Sequence, residues 1–436
     1  MNRMSPALES MIGRRTALKG LFATMGLAAV PGLAACGDSG AGGGGGTGAV
    51  SLGSNYSDAV PKNALAEVMK GFTSAQNLQV NINTKDHEAF QQQINSYLQG
   101  GPDDVWSWFA GFRLRFFASK QLVGDISELW NSIGGNYTQA QKEASTGDDG
   151  KQYFVPFYSY PWAVFYRPSI FQEKGFAVPK TFDELMALSG QMKAAGLAPI
   201  AAGQSNGWPQ LGTFDQINFR TNGYQFHVDL MAGKEDWAGP KVRATFDNWK
   251  RLLEHYQPNS LGRDWQTAAQ SVLKGEAGMM VIGSQQIGQQ FSAANKLDDL
   301  DFFAFPSINP EFGQDTIEAP IDGFAMAPKP RDAANAQKLL TYIASAEAQQ
   351  AYLKSDPTSI AASNKANAAS YNKLQQKCVT FVNEAKHITQ FLDRDTDPGF
   401  ASEVAINSVN DFIKNPNDID GLVNKIAGQA KQYFQK

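Results

Sequence analysis

The sequence predicts an α/β protein of two lobes, each a mostly parallel sheet flanked by helices. Two observations lead there. Residues 50–108 alternate strand, helix, strand, helix, strand, the rhythm of a parallel sheet covered by helices. Setting aside the first 35 of 436 residues as a leader leaves a body too long for one small core.

The leader is read first, because targeting segments must be removed before fold reasoning. Arg14-Arg15 precede an apolar run over 21–35, and Leu33-Ala34-Ala35-Cys36 fits a lipobox, in which Cys36 is lipidated and becomes the mature N-terminus. The apolar run is shorter than the roughly 20 residues of a membrane-spanning helix and contains Pro31 and Gly32. Arg14-Arg15-Thr16-Ala17-Leu18-Lys19 resembles a twin-arginine export signal, departing from it at Ala17, where an aromatic residue is usual. Residues 36–49 are mostly Gly, Ser, Ala and Thr, a flexible tether. The protein is therefore expected to be extracytoplasmic, lipid-anchored to the outer face of the cytoplasmic membrane through Cys36.

Element by element, residues 50–53 open a strand and 65–72 an amphipathic helix. Residues 78–83 alternate apolar and polar as a strand does. Phe90, Ile94, Tyr97 and Leu98 share one helical face, which Gly100-Gly101-Pro102 ends, and 104–108 form a short strand. A polar turn over 146–150 marks a composition shift into an extended aromatic stretch, 151–167. A short helix follows from Pro168. Thr181 and Glu184 have capping-box spacing and open a helix to about Ala195, stopped by Gly196. Residues 198–201 are a buried strand, 206–262 alternate loops and helices, and 273–283 read as helix end, turn and buried strand. Residues 301–306 and 324–327 are further strands, and the tail from Ala333 is mostly helical.

The net charge of −4, with no run of Lys or Arg in the body, excludes a nucleic-acid partner. Of the two cysteines Cys36 takes lipid, so Cys378 stands alone and reads as a small core residue. His87, His227, His255 and His387 show no metal-ligand spacing. Neither a metal nor another cofactor is expected.

Several segments together resemble the extracellular solute-binding proteins of carbohydrate ABC importers, the family of maltose- and oligosaccharide-binding lipoproteins. They are 97–105 (YLQGGPDDV), 150–157 (GKQYFVPF) with 164–167, 179–185 (PKTFDEL), 274–284 (KGEAGMMVIGS), 305–308 (FPSI) and 322–325 (DGFA), in family order. The resemblance implies a periplasmic-binding-protein-like fold with a hinge. It gives an N-terminal lobe of 50–158 plus 307–360 and a C-terminal lobe of 159–306 plus 361–436. Crossings are expected near 158–161 and Pro306, with a third connection near 359–363. It also implies a monomer that closes around a sugar and delivers it to permease subunits served by a cytoplasmic ATPase. Two departures stand out. Gln285 follows Gly283-Ser284 where the family has Trp, and Gly111-Phe112-Arg113 replaces an acidic loop, which moves specificity away from maltodextrins.

A pyranose has apolar C–H faces and a rim of hydroxyls, so its site needs aromatic rings beside carboxylates, amides and guanidinium groups. In open α/β sheets ligands sit beyond the carboxyl ends of strands. Reading there gives His87, Trp106, Trp108, Phe109, Tyr160, Trp162, Trp208, Phe214, Asp215, Trp265, Gln285, Asp322, Gly323 and Arg394 as candidate ligand-binding residues. The number of rings suggests an oligosaccharide, with a monosaccharide as the other choice. No catalysis is expected. The alternative, an exported glycosidase, needs two carboxylates flanking one bond. Asp103-Asp104 fail because strand neighbours face opposite ways, which leaves Asp215 with Asp322. A non-transport surface sugar receptor on the same scaffold is the third reading.

Overall fold

The computed structural model describes residues 49–434; the leader, Cys36 and the tether up to Gly48 lie outside the described residues. Twelve strands form two six-stranded sheets: β1 (Ala49–Ser54), β2 (Gln79–Thr84), β3 (Val105–Phe109), β4 (Phe154–Ser159), β5 (Trp162–Tyr166), β6 (Ala198–Ala201), β7 (Ala277–Gly283), β8 (Asp301–Phe303), β9 (Thr316–Glu318), β10 (Ile321–Met326), β11 (Ile360–Ala361) and β12 (His387–Thr389). The first sheet runs β11-β4-β10-β3-β1-β2 and the second β12-β9-β5-β7-β6, with β8 also paired to β5.

In the first lobe β1 pairs in parallel with β2 and β3, as the strand–helix rhythm requires. The helix Ala59–Gln76 buries Leu65, Val68, Met69 and Phe72, one face at helical spacing, and ends at Asn77 in the left-handed region (φ 50°). β1 and β3 are almost wholly buried, as befits strands covered on both faces, whereas β2 is an edge strand and largely exposed. Three short helices between β3 and β4, Phe112–Ser119, Ser127–Ile133 and Gln139–Ala144, were not anticipated.

The second lobe is centred on β5, antiparallel to β7, β8 and β9. Both sheets are mixed rather than mostly parallel as expected, because the crossing strands β4, β10 and β5 run antiparallel to their neighbours. The capping box forms as expected: Glu184 N–H donates to Thr181 Oγ1, and Thr181 N–H donates to Glu184 Oε2, both at 3.2 Å. Cys378 is fully buried in the helix Lys373–Glu384, and burial pushes its thiol up to about 12.

The chain first crosses between sheets at Tyr160-Pro161, between β4 and β5. The return crossing lies at Ala319-Pro320, between β9 and β10, and not at Pro306. The reason is Arg220, buried in the helix Pro209–Asn222. Its guanidinium donates to the carbonyls of Phe305 (2.9 Å) and Thr316 (2.6 Å), which ties the segment around Pro306 to the second lobe. The third passage runs from β11 in the first sheet to β12 in the second. No helix among the described residues is long and apolar enough to cross a membrane.

Gly323 in β10 permits the close approach of β4, since a Cβ there would collide with the Val155 carbonyl oxygen. Gly323→Val is expected to lower stability by about 1–3 kcal/mol, read from urea unfolding. The Cys378 thiol is expected to resist maleimide in the native protein and to react once the chain is unfolded in denaturant.

Candidate ligand-binding site

Between the two sheets lies a cavity of about 270 Å³. The carboxyl ends of β1 and β2 supply Asn55, Tyr56, Asp58, His87, Glu88 and Gln91. The first crossing supplies Tyr158, Tyr160 and Trp162. Second-lobe loops and helix starts add Asn206, Trp208, Trp265, Gln266, Gln285, Gln286 and Gln289, while β10 and a late turn add Asp322, Phe391, Asp393 and Arg394. Strand ends thus converge from both lobes, as open α/β sheets arrange ligand sites.

The floor is ionic and buried. Arg394 Nη1 donates to Asp322 Oδ1 at 2.6 Å, Arg394 Nη2 to the Tyr160 hydroxyl at 3.0 Å, and the Tyr158 hydroxyl to Asp322 Oδ2 at 3.0 Å. The guanidinium also lies 3.8 Å from the centroid of the Phe109 ring. Burial pushes the Asp322 carboxyl above its ordinary value, while Arg394 and Tyr158 pull it back. For Arg394 burial opposes the charge, but Asp322, Tyr160 and Asp393 outweigh it and hold the guanidinium firmly protonated. Beside this pair Asp393 accepts from Arg113 Nη1 at 3.3 Å. Arg394 Nε and Asp393 Oδ1 make no hydrogen bond but face each other as an ion pair at 4.0 Å, buried beneath the cavity.

The mouth is closed by contacts between lobes. Glu88 Oε1 accepts from Asn206 Nδ2 at 3.0 Å and faces Trp208 Nε1 at 3.5 Å. Gln266 Nε2 reaches Asp58 Oδ1 at 3.4 Å. Asp58 stands at the N-cap of Ala59–Gln76 yet makes no capping bond, and its carboxylate turns instead into the cleft toward Gln266. Arg113 can only donate to Gln91 Oε1 (2.7 Å), which orients the Gln91 amide so that its Nε2 donates to His87 Nε2 at 2.8 Å. The aromatic wall is built from Trp162, Trp208 and Phe391, with Trp162 4.8 Å from Phe391 and 6.2 Å from Trp208 between centroids.

Of the residues expected from sequence, His87, Tyr160, Trp162, Trp208, Trp265, Gln285, Asp322 and Arg394 line the cavity. Gln285 spends its amide N–H on the buried Asp356, at 3.0 Å. Phe109 lies one layer back, beneath the Arg394 guanidinium. The others are corrected. Trp106 and Trp108 do point the same way, but into the core against Phe90 and Phe117; the alternate residue Ser107 instead bonds Asn55 at the cavity edge. Phe214 packs on Trp237 and Phe246. Asp215 is buried away from the lining, and Gly323 is interior to β10. Asp215 and Asp322 therefore do not flank a common guest, and that particular pair cannot act as the two carboxylates of a glycosidase. Asn55, Tyr56, Asp58, Glu88, Gln91, Gln266, Gln286, Gln289 and Phe391 were missed, although most sit where strand ends and first helical turns should have pointed.

Removing one partner of the buried pair leaves the other uncompensated. Arg394→Met is expected to cost about 3–5 kcal/mol of stability, and Arg394→Met with Asp322→Leu less than the sum of the single changes, measured as a double-mutant cycle in urea.

Comparisons with known proteins agree with this architecture. The profile of the bacterial extracellular solute-binding protein family matches residues 54–350. Among solved structures the bacterial solute receptor AcbH, described as having an exclusive substrate preference for β-D-galactopyranose, superposes with a TM-score of 0.87 at 43% identity, covering 89% of this chain and 100% of that one. A chitin oligosaccharide binding protein superposes with a TM-score of 0.81 at 19% identity, covering 89% and 99%, a likeness of fold alone. A probable sugar-binding periplasmic protein of Mesorhizobium japonicum is 28% identical over 50% of this chain and 53% of its own length. The chain spans about half the length of the curated relatives it matches. Two α/β lobes closing on a polar, aromatic cavity and a family match over most of the body lead to one assignment: the chain belongs to the bacterial extracellular solute-binding protein family.

Proposed function

We propose that this chain captures a sugar for a carbohydrate ABC importer, binding it by closure of the two lobes and carrying out no chemistry on it. The observation that carries the reading is the cavity between the lobes, where aromatic rings and acid, amide and guanidinium groups from both sides meet. Only the closed arrangement touches a guest from both sides, so a guest shifts the population toward it by that difference in affinity. AcbH, alike over its whole length, makes β-D-galactopyranose the first ligand to try.

The guest is one pyranose ring. A cavity of about 270 Å³ lies below the roughly 300 Å³ at which drug-sized sites begin. The oligosaccharide expected from the count of rings loses its support once Trp106, Trp108 and Phe214 are assigned to the core. Trp162 and Trp208 supply apolar faces. Asp58, Glu88, Asp322 and Asp393 accept from hydroxyls, and Arg394 donates.

Lipid on Cys36 would hold a monomeric receptor on the outer face of the membrane, and the glycine tether would keep it at high effective concentration beside its permease. Export as a folded protein through a twin-arginine route suits Arg14-Arg15.

Calorimetry of the body from residue 49 onward is expected to show one-to-one binding of a neutral hexopyranose, D-galactose first, and no saccharide turnover. Product formation, or the lack of binding to any mono- or oligosaccharide, would overturn the proposal. Glu88→Ala, which breaks the clasp, is expected to speed sugar release more than it slows capture, measured by stopped-flow tryptophan fluorescence.

A further inference from the structure

The turn Leu392–Asp395 places Asp393 and Arg394 in the cavity, yet it is four residues long and its N-cap, Phe391, contributes no side-chain bond. What fixes its start is a side chain from another element. Leu392 N–H donates to Asp215 Oδ2 at 2.8 Å, from the fully buried face of the helix Pro209–Asn222. The other oxygen, Asp215 Oδ1, has no hydrogen-bond partner. Packing alone does not call for a carboxyl at this position, since leaving a buried polar oxygen unmet costs stability.

Behind Asp215 a run of amides sets one ring. The Lys241 carbonyl can only accept, so it fixes Asn222 with Nδ2 toward it (3.1 Å), and the same Nδ2 donates to Asn218 Oδ1 at 2.9 Å. That leaves Asn218 Nδ2 to donate to His227 Nδ1 at 3.0 Å, which puts the proton of the neutral ring on Nε2. His227 Nε2 then faces Asp215 Oδ1 at 3.9 Å, an oriented dipole rather than a hydrogen bond. Burial keeps the ring neutral, pushing His227 down to about 3. Burial also drives the Asp215 carboxyl upward against the pull of the Leu392 N–H, and Asp395 and Asp393 add to the rise.

We propose that Asp215 is a positioning residue for sugar binding: it holds the start of the Leu392–Asp395 turn and so sets Arg394 and Asp393 in the cavity, with His227 as its oriented backing. The inference rests on the sugar-binding reading above. It gives Asp215 a role through other residues rather than the direct contact expected from sequence.

The test compares wild type, Asp215→Asn and Asp215→Leu by calorimetry with D-galactose and by hydrogen exchange of the segment 389–396 without sugar. Asparagine keeps an oxygen for the Leu392 N–H and leucine keeps none. Asp215→Leu is expected to bind at least about tenfold more weakly and to exchange faster at Leu392 while unfolding cooperatively. Asp215→Asn, whose oxygen still accepts from Leu392 while its amide N–H faces the His227 Nε2–H, is expected to lose clearly less affinity than Asp215→Leu and to keep most of its protection. The inference falls if folded Asp215→Leu matches wild type in affinity and exchange, or if Asp215→Asn is as damaged as Asp215→Leu. Should the leucine variant not fold, Asp215→Asn decides alone: retained affinity and protection support the role, lost protection ends it. If wild type binds no sugar the sugar reading fails, while the exchange data still judge whether Asp215 holds the turn.

Discussion

The Asp322–Arg394 pair is the constraint around which the site is arranged. Asp322 comes from β10 of the first sheet, Arg394 from a turn that follows β12 of the second, and both are buried. A charge in that position cannot be left single, so the two elements must be held together wherever the protein is folded and closed. Tyr158 and Tyr160, flanking the first crossing, add hydroxyls to the two ends of the pair. The crossing, the return strand and the late turn are thereby tied at one point beneath the cavity. Two apolar side chains would fill the space at little cost in stability, but they would offer nothing to a hydroxyl. Phe109, stacked under the guanidinium, completes the arrangement from β3.

Much of the first lobe could be read in advance because local and global signals agree there. The alternation of strand and helix over 50–108 and the Gly-Gly-Pro stop after Leu98 each have a single local cause, as does the Thr181/Glu184 cap in the second lobe, and each is present. The strand-end rule found eight lining residues for the same reason: it depends on topology, which the rhythm discloses. What failed depends on facing. A one-residue change in parity moves a strand's whole set of side chains to the other side, and nothing in Val-Trp-Ser-Trp-Phe says which side of β3 is the cleft. The aromatic side is the core, and the modest Ser107 looks toward the site. Asp58 escaped notice because an aspartate before a helix reads as a cap, and its lack of a capping bond is visible only in three dimensions.

The misplaced return crossing has a related origin. An aromatic-proline segment at Phe305-Pro306 looks like a linker, and Pro320, fourteen residues on, looks the same. Arg220 tells them apart, but its partners are main-chain carbonyls 85 and 96 residues away. Such a contact leaves no local mark in the sequence. Burial also pulls Arg220 down to about 9, an indication of how little solvent reaches that junction.

The Glu88 clasp has a kinetic meaning. With Asn206 and Trp208 drawn onto one carboxylate, the two lobes are pinned together across the mouth on that side. Opening that side requires the lobes to separate, a collective motion of microseconds to milliseconds, rather than the movement of one side chain. Occupancy time becomes a property of the whole chain's breathing. If the proposed sugar reading holds, two guests that differ by one hydroxyl can be held with different strength and still depend on the same opening of the lobes.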